Sequence, residues 1–248
     1  MSGKVFWLSI VAIIISFTGG FLLANALNRT ELNDLRGENE RLKTSQGDTN
    51  QNQSGLALSD AEIREKIAEA DANPNNYNFQ KNLGVALYRY AAMKQDPELL
   101  SEVGRLLNRA FENDKKDYDV ILTLGNIHFD IGYFKKENGQ FEKAREFYQL
   151  ALQQKPNDVD VRTDLGLTYF LSVPSESERA ISEFQKSLQT NPKHEKTLQV
   201  MAQTFASQSN VVEAEKYLAK LREVNASNQY LSELETRISQ IKGESQKQ

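Results

Sequence analysis

The chain has 248 residues, a formal net charge of −4 and no cysteine. This composition excludes disulfides, thiolate catalysis and cysteine-ligated metals, and it offers no broad basic field for nucleic acid. Only two histidines and five prolines occur, so a histidine metal site would need carboxylates to complete it, and a helical chain is favoured.

After a leader of residues 1–4, no charged residue occurs from Val5 to Leu27. A helix rising about 1.5 Å per residue needs about 20 residues to cross the hydrocarbon core, so residues 5–27 can form a transmembrane anchor. A cleavable signal peptide is the alternative. Lys4 gives it a positive start, and Ala24-Asn25-Ala26 has the small-x-small form of a cleavage site. The run exceeds the ordinary signal core of roughly 7 to 15 residues, which favours a retained anchor. Cues to orientation conflict. Arg29, Arg36, Arg41 and Lys43 follow the span, and that count keeps the rest of the chain in the cytoplasm. The short basic leader instead has the form of an export signal, and we expect the bulk of the chain on the extracytoplasmic side.

Small residues recur every four positions in this segment, at Ala12, Ser16, Gly20 and Ala24. Such a stripe lets two membrane helices approach closely. Residues 28–43 form a neck in which Leu32, Leu35, Asn39 and Leu42 follow the 3-4-3 spacing of a coiled coil. Ser16, Gly20, Ala24, Leu32, Leu35 and Leu42 are therefore the candidate seam of a homodimer. The alternatives are ordinary small-residue content and an isolated helical extension. Residues 44–58, polar and aperiodic, read as a flexible linker.

Ser59-Asp60-Ala61-Glu62 is a capping-box pattern and opens a capping helix over 59–73. From there to residue 226 the chain repeats. Leu83-Gly84, Leu124-Gly125, Leu165-Gly166 and Met201-Ala202 mark one helix of each unit. Val103, Ala144, Ala180 and Ala214 begin a second, with Ala151 a further small residue in the second unit. Pro74, Lys115, Pro156 and Pro192 lie nine residues before the leucine or methionine in every unit. These residues resemble the tetratricopeptide repeat, in which a Leu-Gly pair, a small residue and a closing proline recur at fixed offsets. The resemblance implies an all-α helical solenoid of four units over 74–226. Gly84 to Val103 and Gly125 to Ala144 each span 19 residues, against 12 from Ala202 to Ala214. Seven extra residues are about two turns, so each helix of the first two units should be one turn longer. Residues 227–242 supply a C-terminal capping helix, and 243–248 a disordered tail.

No nucleophile elbow, phosphate-binding loop or zinc-protease motif occurs, so we expect no enzyme, no cofactor and no metal. His128 occupies a packing slot of its repeat, and His194, just after Pro192, reads as a solvated surface group. The resemblance implies a concave groove lined by first helices. Carrying its positions over gives Lys81, Val85, Tyr88, Asp119, Leu122, Asn126, Phe129, Thr163, Leu167 and Phe170 as groove candidates, with Tyr88, Phe129 and Phe170 as an aromatic ladder. The function this implies is a protein–protein interaction scaffold near a membrane, with a bacterial inner membrane as the expected setting, a protein or peptide partner and no nucleic acid. The alternatives are an assembly factor of the c-type cytochrome maturation or envelope-assembly kind, or a self-associating structural spacer.

Overall fold

The computed structural model describes residues 59–245. The expected anchor, neck and linker lie outside the described residues, as do the seam candidates Ser16, Gly20, Ala24, Leu32, Leu35 and Leu42. Among the described residues there are ten helices and no strand, and no helix is long and apolar enough to cross a membrane. The helices are α1 (Asp60–Ala72), α2 (Tyr77–Lys94), α3 (Pro97–Asn113), α4 (Tyr118–Lys135), α5 (Asn138–Gln154), α6 (Val159–Phe170), α7 (Ser177–Thr190), α8 (Glu195–Ser207), α9 (Val211–Val224) and α10 (Leu231–Ser245). The last of these continues to Ser245, past the expected end at residue 242.

The starts are written locally. Glu62 N–H donates to Ser59 Oγ at 3.3 Å while Ser59 N–H donates to Glu62 Oε2 at 2.7 Å, so both groups of the capping box are engaged. Asn76, Asp96, Asp117, Asp158 and Asn210 cap α2, α3, α4, α6 and α9 through side-chain oxygens that accept from the third residue of each helix. The long helices α2 and α4 have 18 residues each and α3 and α5 have 17, against 13 in α8 and 14 in α9. The extra turn in each helix of the first two units is therefore present.

The helices pair as α2–α3, α4–α5, α6–α7 and α8–α9, and each pair docks on the next. The glycine of each first helix sets the depth of that pairing. A β-carbon at Gly84 would stand 2.6 Å from Leu107, at Gly125 2.8 Å from Tyr148, and at Gly166 2.4 Å from Phe184. A large side chain from the second helix thus lies on bare backbone of the first. Val103, Ala144, Ala180 and Ala214 are completely buried, as small residues must be where two helix axes come close. Leu124, Ala151, Leu165, Met201 and Ala202 are buried with them, whereas Leu83 is only half-buried.

Replacing Gly166 with Ala should destabilise the fold by roughly 1–3 kcal/mol, because Phe184 has to move out of a filled core. Gly104 in α3 is the control, since a β-carbon there comes no closer than 3.4 Å to Ile127. Gly104→Ala should be neutral or stabilise by up to about 1 kcal/mol through helix propensity. Denaturant unfolding of both variants checks the contrast, and equal effects would refute it.

Candidate functional site

The first helices α2, α4, α6, α8 and α10 form the inner layer. Consecutive members α2–α4, α6–α8 and α8–α10 touch, while no pair of second helices makes comparable contact. The helices α4 and α6 approach one another less closely than the other consecutive first helices do.

The groove candidates divide on this surface. Lys81, Val85, Tyr88, Leu122, Asn126 and Phe170 are half-buried on the inner layer, and Asp119 is exposed. Phe129, Thr163 and Leu167 are 2%, 0% and 3% exposed, so the structure corrects the expectation that these three side chains stand open to a groove. Their positions face a neighbouring helix. Phe129 packs edge-to-face on Phe141 at 5.8 Å between centroids. The Thr163 hydroxyl lies 2.6 Å from that of Thr197 and 3.0 Å from that of Ser187. The expected aromatic ladder is thereby broken at its middle rung.

Along one edge, the starts of successive first helices are tied to each other. Tyr77 O–H donates to Asp117, the cap of α4, and Tyr118 O–H donates to Asp158, the cap of α6, at 2.6 Å. Lys81 adds an ammonium to Asp117 at 2.6 Å. One unit on, His194 takes over the same task. Its Nε2 lies 3.2 Å from Asp160 and its Nδ1 2.6 Å from Thr197 Oγ1. His194 is thus a half-buried bridge between α6 and α8 rather than the solvated group its sequence position suggested. His128, also on α4, faces the second helix of its own unit, hydrogen-bonded to Gln140 at 2.7 Å and stacked on Phe147. Burial holds its pKa below the ordinary imidazole range.

Deeper in the inner layer, six polar groups from five helices converge. Tyr88 O–H on α2 donates to Asp130 Oδ2 on α4 at 3.0 Å. Tyr148 O–H on α5 donates to Asn126 Oδ1 on α4 at 3.0 Å. Lys196 Nζ on α8 donates to Asp164 Oδ1 on α6 at 2.6 Å. Asp130 and Asp164 are 5% and 7% exposed, and each lies near enough to Tyr148 to act on its ionisation. Burial pushes Asp130 up to about 7, and the charge of Asp164 adds to that rise while Tyr88 and Lys196 oppose it. Burial raises Asp164 as well, against the pull of Lys196. The positional reading found Tyr88 and Asn126 but missed Asp130, Tyr148, Asp164 and Lys196. The signal available was Asp130 itself, an acid flanked by Phe129 and Ile131.

A concavity of about 660 Å³ lies against α3 and α4, with Arg105, Arg109, Ile127 and His128 among its walls and none of the cluster residues among them. Both arginines are engaged with Asp71 at the end of α1. This concavity holds no buried carboxylate, and the chemistry of the inner layer is elsewhere.

The raised pKa of Asp130 has a consequence for stability. An unfolded aspartate titrates near 3.9, so between about pH 4 and pH 7 the folded chain keeps a proton that the unfolded chain has lost. The proton-bound form therefore stabilises the fold at low pH, and that contribution is lost as pH rises through about 7. Asp130→Asn removes the ionisation at nearly constant shape. The variant should gain stability over the parent between pH 5 and pH 8, by on the order of 2 kcal/mol. Urea unfolding at both pH values tests this, and a difference that does not change with pH would overturn it.

Residues 125–158 match the tetratricopeptide-repeat family. Over 141 residues the chain is 27% identical to the mitochondrial import receptor subunit TOM20-4 of Arabidopsis thaliana, covering 54% of this chain and 67% of that relative. The crystal structure of MamA superposes with a TM-score of 0.53 at 22% identity, over 67% of this chain and 88% of MamA. A tetratricopeptide repeat protein from Parabacteroides merdae ATCC 43184 superposes with a TM-score of 0.56 at 21% identity, over 74% of this chain and 65% of that one. At such identities the structural likeness is one of fold. Residues 125–158 thus match one tetratricopeptide repeat, within a helical solenoid whose fold those structures share.

Proposed function

We propose that the chain is a non-catalytic scaffold that holds a protein partner in the concave face of its repeats, close to a membrane. The observation that carries this reading is the inner layer itself. Packing alone has no use for Asp130, Asp164 and Lys196 converging beside the half-buried Tyr88 and Asn126, since buried charge is costly to a fold that gains nothing else from it. A concave surface with polar groups at its base and apolar flanks such as Val85, Leu122 and Phe170 suits a peptide segment, helical or extended. The relative named as an import receptor subunit is compatible with such a role, in which a segment of another protein is held.

Domain organisation follows the same proposal. Residues 5–27 anchor the chain as a single pass, 28–43 form the neck, and 44–58 tether the solenoid, whose repeats then face the extracytoplasmic side. The charge-free run from Val5 to Leu27 supports the anchor. The seam at Ser16, Gly20, Ala24, Leu32, Leu35 and Leu42 would join two copies, which presents two grooves side by side and raises the effective concentration of the second. No cofactor and no nucleic acid take part. In an assembly pathway, whether for c-type cytochromes or for the envelope, such a scaffold would position a client.

Two measurements test the proposal. A photo-crosslinking amino acid placed at Val85 or Asn126 should join the chain to another protein in native membranes, and the same probe at Glu142 on the outer layer should not. Crosslinks only between copies of the chain would favour the structural spacer instead. Deleting residues 5–27 should move the protein from the carbonate-resistant membrane fraction to the supernatant. Retention in the membrane after that deletion would remove the anchor from the proposal.

A further inference from the structure

We propose that the joint between the third and fourth units is a proton-operated hinge, closed while His194 carries both of its ring hydrogens and loosened when it gives one up. The distances fix where the hydrogens lie. The Thr163 and Ser187 hydroxyls each stand 2.7 Å from the Val159 carbonyl oxygen, which can only accept, so each donates to it. Thr163 then has no hydrogen left for Thr197 Oγ1 at 2.6 Å, and Thr197 must donate to Thr163. With its own hydrogen spent, Thr197 must accept from His194 Nδ1 at 2.6 Å. On the far side of the ring Nε2 lies 3.2 Å from the Asp160 carboxylate, which likewise can only accept. Both ring nitrogens therefore carry hydrogen, and the geometry is that of the imidazolium. The one contact in the chain left without a hydrogen, Thr163 to Ser187 at 3.0 Å, is longer than the other hydroxyl contacts.

Removing one proton cannot leave this arrangement in place. Nε2 keeps its hydrogen for Asp160, so Nδ1 becomes an acceptor and the chain has to reverse, with Thr163 donating to Thr197 and Thr197 to the ring. Val159 loses one of its two hydroxyl donors, and Asp160 faces a neutral ring instead of a cation. Thr163, Ser187 and Thr197 are completely buried, so the lost bond is not simply exchanged for one to bulk water. The other two joints at the helix starts are made by phenols. Burial pushes Tyr77 up to about 12 and raises Tyr118 as well, so neither changes charge near neutral pH, whereas an imidazole ordinarily does so between pH 5 and 8. The joint with the imidazole is also the loosest, since α8 docks on α7 less extensively than α4 does on α3 or α6 on α5. The charges that bear on the ring are Asp160 and Asp164 from α6, with Lys196 on α8 opposing them. Helix α7 contributes the neutral Ser187, and Glu195, next to the ring in sequence, is turned to Asn225 and Asn228. Linkage sets the sign. The imidazole holds the Asp160 carboxyl below its ordinary range, so the carboxylate favours the charged form of the ring in return. The joint is then strongest below the imidazole range and weakens as pH rises through it.

The test uses the full-length chain in detergent, spin-labelled on Glu142→Cys in α5 and Glu223→Cys in α9, on either side of the joint. Both positions are exposed, and the chain has no cysteine of its own. Nitrogen NMR of the ring should find both nitrogens protonated at pH 5 and hydrogen on Nε2 alone at pH 8. The signal is identified by its loss in His194→Gln, since only two histidines occur. Over the same interval the distribution of distances between the labels should broaden. In His194→Gln it should have one width at both pH values. That control separates the hinge from Asp130, which also titrates in this range and is still present. Asp160→Asn, at a position whose side chain is 58% exposed, should move ring deprotonation and broadening to lower pH together. A ring already neutral at pH 5, a neutral ring with its hydrogen on Nδ1, a native width that ignores pH, or a pH response that survives in His194→Gln would each overturn the hinge. Should His194→Gln fail to fold, Asp160→Asn decides, because broadening that stays at the native pH while the ring transition moves would also overturn it. The measurement needs no partner, so no outcome bears on the scaffold reading.

Discussion

Everything in this solenoid depends on how closely the two helices of a unit approach, and that is set by the absence of a side chain at Gly84, Gly125 and Gly166. Leu107, Tyr148 and Phe184 occupy the space that a β-carbon would fill. The bare backbone fixes the depth of the pair, and Val103, Ala144 and Ala180 allow the same closeness from the other side. Each pair then docks on the next, and the first helices come to line a common inner layer.

The inner face then does two different jobs with similar residue types. At the helix starts, polar groups close the joints between units. Tyr77 and Tyr118 reach the capping aspartates of the next unit, and His194 reaches back to Asp160. The two tyrosine contacts use the capping aspartates twice, once for the helix backbone and once for the neighbouring unit. Farther along, Tyr88, Asp130, Asp164 and Lys196 join four first helices through buried charge. Their burial makes them strong where they are satisfied and costly where they are not. The joints at the helix starts have short, direct partners. In the deeper cluster Asp130 receives the Tyr88 hydroxyl, and Asp164 the ammonium of Lys196.

Tyr148 ties the packing constraint to the site. Its ring lies against Gly125 while its hydroxyl donates to Asn126, so one side chain sets the depth of a helix pair and contributes to the polar cluster. A large residue at that position satisfies the solenoid, but only a phenol supplies both parts.

The helices, their caps and the four-unit register were legible in the sequence because they rest on local chemistry and a fixed period. Ser59 and Glu62 close a capping box within four residues, and the closing position always lies nine residues before the leucine or methionine of its unit. The site was only partly legible. Counting positions along a repeat identified Lys81, Val85, Tyr88, Leu122 and Asn126 on the inner layer, and it also named Phe129, Thr163 and Leu167, which the structure buries. Period tells which way a side chain leaves its own helix, but not how near the next helix stands in that direction. That distance, set by packing between units, covered Phe129 with Phe141 and Thr163 with Thr197. It also brought Asp130 and Asp164, 34 residues apart in the chain, into one buried cluster with Lys196. Sequence determined the solenoid because its signals are short-range; the tertiary structure alone decided the cluster, because the charges that meet there belong to different repeats.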